Sequence, residues 1–268
     1  MSEFIDFEIF NKYPEVVAAF STKKGGVSKG IYESMNLSLS TDDDMENILE
    51  NYRIFADAVG IPVEDFVISM QTHTTNIRVA TEADRGKGLF KERDYTDVDG
   101  LITNEKGVAL CLLYADCVPV YLYDPVKKAI ALLHSGWKGT CGRISEKGVR
   151  MLNSYYGSEP KDILCVIGPS ICKDCYEVSG DLISHFEKKF KPSDIAQIFS
   201  IGRRTKEGEL KYNLDLKKAI KMTLLDAGVP EENICDPEIC TCCEHETFFS
   251  HRYTNGRRGN LAAVMELK

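Results

Sequence analysis

Three side chains of this 268-residue chain, His73, Cys117 and His134, have the types of a metal-ligand set. Thiolate and imidazole bind zinc and copper well, and three protein ligands leave a coordination position for water or a substrate oxygen, the pattern of a catalytic centre. Two other chemistries use the same atoms. Cys117 and His134 could act as nucleophile and base of a cysteine hydrolase. Two histidines and a cysteine also make an electron-transfer copper site when a weak axial ligand is present. Oxidation chemistry that uses several copper ions needs more ligands than five histidines readily supply. Met70 is not expected as the axial ligand, because residues three apart in a strand face opposite sides.

The elements that must position these groups are short. Leu110 to Val120 and Ala129 to His134 are apolar, β-branched-rich runs separated by a turn at Tyr123-Asp124-Pro125, which predicts two buried strands. Cys117 interrupts the first and His134 ends the second, where Gly136 and Gly139 turn the chain toward a helix. His73 lies in a third strand-like run, Met70 to Thr74. After Gly139, Thr140 is placed to cap a helix reaching about Tyr156, whose N-terminus would favour an anion, with Lys138 adding charge. Trp137, the only tryptophan, reads as core packing.

Lys23-Lys24-Gly25-Gly26-Val27-Ser28 is a basic glycine-containing loop that either presents backbone N–H groups to an anion or is a solvated turn. Thr41 to Val59 carries a helical apolar period after an acidic opening, and Gly60-Ile61-Pro62 stops it. Ala83 to Tyr95 has charge and glycine without an apolar period, which predicts a mobile loop able to cover a site. In Asp97-Val98-Asp99-Gly100 the carboxylates either form a turn or orient a ligand histidine. Ile163 to Ile167 and Leu261 to Met265 read as strands, and Ser179 to Phe190 and Asn213 to Ala227 as amphipathic helices.

Ten cysteines in a long chain, several inside apolar runs, predict mostly free thiols. Cys240 to His245, with Cys235 nearby, has ligand types that suit zinc, but its spacing reads as irregular, and no metal is expected there. Cys172-x-x-Cys175 matches neither a zinc deaminase, because His185-Phe186-Glu187 follows it rather than precedes it, nor a redox motif opening a βαβ unit. With 43% hydrophobic and 28% charged residues, the chain can bury one sizeable core. A formal charge of -8 argues against nucleic acid and leaves room for small anions. The longest apolar runs fall short of the roughly 18 residues of a membrane span, and the acidic opening Met1 to Asp6 is unlike a secretory signal. The expected location is the cytoplasm, with no membrane partner.

Gln71-Thr72-His73, Asp99 to Thr103, Ala115 to Val120, His134 to Gly139, and Gly168 to Ile171 with Cys175 to Val178 are similar in order and spacing to the motifs of a known family. This is the multicopper polyphenol oxidase-like, or laccase-domain, family, and the resemblance runs from Ser21 to Arg252. Its members are generally regarded as purine nucleoside phosphorylases with adenosine deaminase activity. The resemblance implies an α+β fold of mixed β-sheets packed together with helices on the outside, one compact domain over residues 1–268. It implies a metal at His73, Cys117 and His134, usually taken as zinc, with copper as the alternative, and the same three residues in catalysis. Phosphorolysis of adenosine, inosine and methylthioadenosine to free base and (methylthio)ribose 1-phosphate follows, with purine nucleosides and inorganic phosphate as partners. The rivals remain a copper oxidoreductase, a Cys-His hydrolase and a non-enzymatic binding protein. By the same resemblance Lys23, Asn36, Gln71 and Asp116 belong near the site, and Tyr176 to a substrate wall. Arg252 is the first choice for an anion contact and Arg258 the second.

Overall fold

Alternation along the apolar runs decides what each strand face touches. In the computed structural model, which describes residues 4–268, the chain runs β1 (Phe4–Ile5), β2 (Val16–Ser21), α1 (Met45–Val59), β3 (Phe66–Ile68), β4 (Ile77–Val79), β5 (Gly100–Thr103), β6 (Ala109–Tyr114), β7 (Val118–Asp124) and β8 (Ala129–Ser135). It continues α2 (Trp137–Cys141), α3 (Ile144–Tyr156), β9 (Leu164–Ile167), β10 (Glu177–Ser179), α4 (Asp181–Phe186), α5 (Pro192–Ile198), β11 (Phe199–Arg204) and β12 (Leu210–Leu214). Last come α6 (Leu216–Asp226), β13 (Ile234–Cys235), α7 (His251–Thr254) and β14 (Leu261–Leu267). Met1 to Glu3, part of the acidic opening read against a secretory signal, lie outside the described residues.

One sheet has the order β1-β2-β14-β6-β3, a second β13-β9-β7-β8-β5-β4, and a small third β10-β12-β11. Pairing is antiparallel except β3 with β6, β4 with β5 and β13 with β9. Leu261, Ala263 and Met265 of β14 share a core with Tyr121, Ile130 and Leu132 of the second sheet. The intervening Ala262 and Val264 pack on Ile48, Tyr52 and Phe55 of α1. On the far side, Val120, Leu122 and Leu133 meet Val149 and Leu152 of α3 and Ile220 of α6. The result is an α+β fold of two stacked sheets between outer helices, as the sequence resemblance implies. Among the described residues no helix is long and apolar enough to cross a membrane.

Several local expectations change. The His73 run is not a strand: β3 ends at Ile68, β4 begins at Ile77, and His73 sits between them at φ 64°. Leu110 to Val120 is two strands, broken at Ala115-Asp116-Cys117 with Asp116 at φ 84°, where the chain crosses from one sheet to the other. The helix after His134 starts early as the single turn α2, and α3 begins only at Ile144. Arg143 at φ 60° breaks the run, and the Thr140 hydroxyl bonds Ser135 Oγ at 2.8 Å instead of capping. Residues 83–95 are fastened down: buried Asp84 pairs with Arg78 and Lys87, and Tyr95 Oη and Arg93 donate to the Ile68 and Ser69 carbonyls. The helix read over Ser179 to Phe190 is the shorter α4, and α6 starts at Leu216, where Asp215 caps it.

On the α1 side of β14, Glu266 is buried with one carboxylate oxygen unpartnered. Burial lifts its pKa from 4.5 to about 7, Lys268 and Arg85 opposing the rise and Asp65 adding to it. A carboxyl raised on folding binds its proton more tightly in the folded state, so this group's contribution is full below 4.5 and is lost as pH rises through about 7. Glu266→Gln is expected to gain roughly 3 kcal/mol over the native protein at pH 8 and almost nothing at pH 4. Urea titrations at the two pH values check this, and an equal gain at both would refute the cause.

Candidate metal centre and substrate cleft

Asp99, wholly buried immediately before β5, gathers the centre. Its carboxylate accepts hydrogen bonds from the N–H groups of Thr72 (3.1 Å), His73 (3.0 Å) and Thr74 (2.8 Å) and from the Thr74 hydroxyl (2.9 Å). Oδ1 also lies 2.7 Å from His134 Nδ1, and the Asp99 carbonyl accepts from the His134 N–H. Burial pushes this carboxyl up, but the bonds from His134, Thr74 and Thr72 outweigh it and hold it at about 2. Of the two readings of this acidic stretch, the structure supports the orienting carboxylate.

His134, next to last in β8, has Nδ1 held by Asp99, so Nε2 is the ring nitrogen left to a ligand. His73 and His134 stack edge to face at 4.9 Å, and Cys117 Sγ lies 4.0 Å from His73 Nε2. The three donor atoms all fall within 4.8 Å of one another. Tetrahedral zinc with bonds of about 2.0 to 2.3 Å would separate them by roughly 3.5 Å, so side-chain shifts of about an ångström close the set. Burial opposes thiolate formation at Cys117, but the neighbouring His134 and His73 lower its pKa to about 6. Burial likewise opposes charge on His134, yet Cys117 and Asp99 raise it to about 9. A thiolate-forming cysteine and a carboxylate thus flank His134 and favour positive charge there, and a metal ion would take the place of the proton on Nε2. Gly136 leaves the necessary space, since a Cβ there would stand 2.9 Å from Cys117 Sγ and 3.2 Å from His73 Cδ2.

Two clefts of about 310 and 370 Å³ meet at His73, Ala115, Cys117 and Arg258. The first is walled by Trp137, Ile171, Tyr176 and Leu216, so Trp137 lines the cleft as well as packing against the core. The second is more polar and carries Gln71, Arg93 and Asn260. Met70 lines it too, because the stretch is a loop and strand alternation no longer applies.

The other expected contacts divide. Tyr176, Asp116 and Arg252 line the first cleft, but Arg252 spends its guanidinium on the Cys175 and Glu177 carbonyls. Both Asp116 oxygens are taken, by the Thr241 hydroxyl (2.7 Å) and the Arg252 N–H (2.6 Å). Gln71 exchanges two bonds with the Leu113 backbone, which anchors the His73 loop to β6. Asn36 is fully buried behind the site and ties Thr41 and Asp43 to Ser38 and Asn260, so it supports the wall without lining it. Lys23 lines a separate cleft with His245 and Tyr253, and the N–H groups of Lys24, Gly26 and Val27 are spent on Thr22, Ser34 and Asn51, which favours the turn over the anion cradle of the two readings. Lys138 is exposed, points over Trp137 and lines neither cleft of the centre. Arg258 faces both clefts; its Nε is buried without a partner, while Nη1 donates to Asn260 Oδ1 and Nη2 lies 3.4 Å from His251 Nδ1. Arg93 and His251 join the lining unforeseen; each lies in a charged or polar stretch with no sequence signal to single it out.

The cysteine-rich stretches also need correction. Cys240 and Cys243 are themselves a C-x-x-C pair, and the fold sets them against Cys172 and Cys175 with all four sulfurs within 4.8 Å. All ten cysteines are free thiols.

This fold and centre define the class. Residues 17–268 match the family described as multi-copper polyphenol oxidoreductase laccase, and the chain belongs to it. Over 258 residues it is 36% identical to the Bacillus subtilis protein named purine nucleoside phosphorylase YlmD, covering 95% of this chain and 89% of that one. It is 35% identical over 246 residues to adenosine deaminase RL5 of an unknown prokaryotic organism, covering 91% of each. The crystal structure of Bacillus licheniformis hypothetical protein YfiH superposes with a TM-score of 0.91 at 35% identity, covering 100% of this chain and 97% of that one.

Asp99→Asn is expected to weaken metal retention at this centre about 10- to 100-fold, because an amide cannot accept the same set of bonds. Gly136→Ala should do the same by crowding Cys117, with the fold intact. Metal titration of the two variants, alongside circular dichroism, checks both; native affinity in either would exclude the role given to that residue.

Proposed function

We propose that the protein is a zinc-dependent purine nucleoside enzyme, cleaving adenosine, inosine and methylthioadenosine with phosphate and deaminating adenosine. The observation that carries the reading is the meeting of an apolar cleft and an arginine-bearing cleft at His73, Cys117 and Arg258. The names of the relatives agree with it, and ten free thiols suit the reducing cytoplasm. His73, Cys117 and His134 would hold zinc, which supplies polarisation of a water molecule or a substrate oxygen.

The chain's own groups do the rest. Trp137 and Tyr176 offer aromatic faces to the purine, and Ile171 and Leu216 exclude water around it. Arg258, with Arg93 beside the second cleft, receives phosphate, whose oxygen attacks the anomeric carbon while the bonding pair leaves with the purine. Asp99 keeps His134 in one tautomer and one orientation. A guanidinium desolvated before the substrate arrives binds an anion more strongly than a solvated one.

Incubation with each nucleoside, with and without phosphate, should give free base only with phosphate, and inosine from adenosine in either case. Absence of base release from all three would sink the reading, and bound copper with an intense blue absorption would favour the oxidoreductase. Cys117→Ala should lose the zinc of this centre and its activity together, whereas a cysteine hydrolase would keep activity after metal removal. Arg258→Met is expected to lower kcat/KM for phosphate about 10- to 100-fold with zinc retained. Arg252→Met, which removes bonds to two carbonyls, should act first on Tm.

A further inference from the structure

We propose that Cys172, Cys175, Cys240 and Cys243 bind a second, structural zinc ion that fixes one wall of the substrate cleft. The two C-x-x-C pairs are the ligand pattern of four-cysteine structural sites, in which every coordination position is filled by protein. The geometry agrees. Cys175 and Cys243 sulfurs are 3.5 Å apart, Cys172 and Cys243 4.0 Å, and all four lie within 4.8 Å. Four Zn–S bonds of about 2.3 Å in a tetrahedron put sulfurs roughly 3.8 Å apart. An iron–sulfur cluster needs wider spacing, since several iron atoms stand between its thiolates.

The backbone is already arranged for a thiolate. The N–H groups of Cys172 and Cys243 point at Cys240 Sγ, at 3.2 and 3.4 Å, and such donors stabilise negative sulfur. Beside the sulfurs the Ser170 N–H donates to the Ile239 carbonyl and the Ser170 carbonyl accepts from the Thr241 N–H, so the two segments are joined before any ion binds. The neighbouring candidates drop out: His245 stacks on Tyr253 with ring centroids 3.5 Å apart, and Cys242 and Cys235 lie outside the group of four.

What the ion would hold is the cleft. Ile171 and Tyr176 flank the first pair and line the apolar cleft. Thr241, inside the second pair, holds Asp116, and the Cys175 carbonyl receives Arg252. Cross-linking segments about 68 residues apart restrains the unfolded chain as well as the wall. None of the four ligands belongs to the His73 centre, so the proposal stands whatever reaction that centre performs.

Zinc is counted in protein purified with reductant and without chelator. The expected values are two per chain in the native protein and in Cys242→Ser, and one in either Cys117→Ala or Cys243→Ser. X-ray absorption of Cys117→Ala should show four sulfurs at about 2.3 Å and no imidazole. Cys243→Ser should lower Tm, speed amide exchange at Ile171 to Tyr176, and raise KM for the nucleoside several-fold with kcat within about twofold. Folded Cys117→Ala without zinc, nitrogen ligands in its spectrum, or disulfides among the four cysteines in reduced native protein would each overturn the proposal. Because Cys117→Ala removes only the other centre, this result is independent of the nucleoside assays.

Discussion

The site depends on one buried carboxylate. Desolvating an ionised Asp99 costs several kcal/mol unless its lone pairs are filled, and the fold fills them with three successive N–H groups, a hydroxyl and an imidazole. The bonds that stabilise the charge therefore also place both histidines, His73 through its backbone and His134 through its ring. Holding His73 at φ 64° costs about 1 to 2 kcal/mol, whereas a hydrogen bond to a charged group contributes about 1.5 to 3. The strained turn is the cheaper state once Asp99 is buried beneath it.

A second carboxylate solves the matching problem at Cys117. The chain must leave one sheet after Tyr114 and enter the other at Val118, which gives it three residues in which to turn. Asp116 takes the left-handed conformation, and its side chain is secured by Thr241 and by the N–H of Arg252. Cys117 thereby emerges at the end of the inter-sheet core, beside the last residues of β8. A stacked-sheet fold has few places where loops from both sheets converge, and this end is one of them.

Local signals were legible and distant ones were not. The β7–β8 pair could be read because alternation, breakers and the Asp-Pro turn all lie within the segment. The capped helix α1 was readable for the same reason: Asp44 accepts from Glu46 N–H and Gly60 ends it at φ 67°. His73 was misread as a strand residue because the group that bends its backbone lies 26 positions away. The cysteine pairs were read separately, although each completes the other across 68 positions. Nothing in Phe248 to Asn260 reveals that the Arg252 fork closes on two carbonyls from another loop.

The net charge of -8 also misleads if taken as a property of the cleft. Screening limits surface charges to about 8 Å at physiological ionic strength, so the groups lining the cavity set its potential. There, Asp116 has both oxygens committed to donors, and Asp99 lies buried behind the lining with its oxygens likewise committed, which leaves little free acceptor surface to repel an anion. Arg258 is different: burial lowers its pKa, while Asp116 and Cys117 draw it back up, and one of its N–H groups remains unpartnered. Its Nη1 donates to Asn260 Oδ1 and its Nη2 lies 3.4 Å from His251 Nδ1, so an anion entering the cleft meets a half-buried guanidinium fixed in place at the junction of the two clefts. Arg252 already has Nη1 and Nη2 each committed to a carbonyl, which ties its guanidinium to the cleft wall. Affinity for a small anion can thus reside in an acidic protein, because it is decided by which charges the fold leaves unpaired.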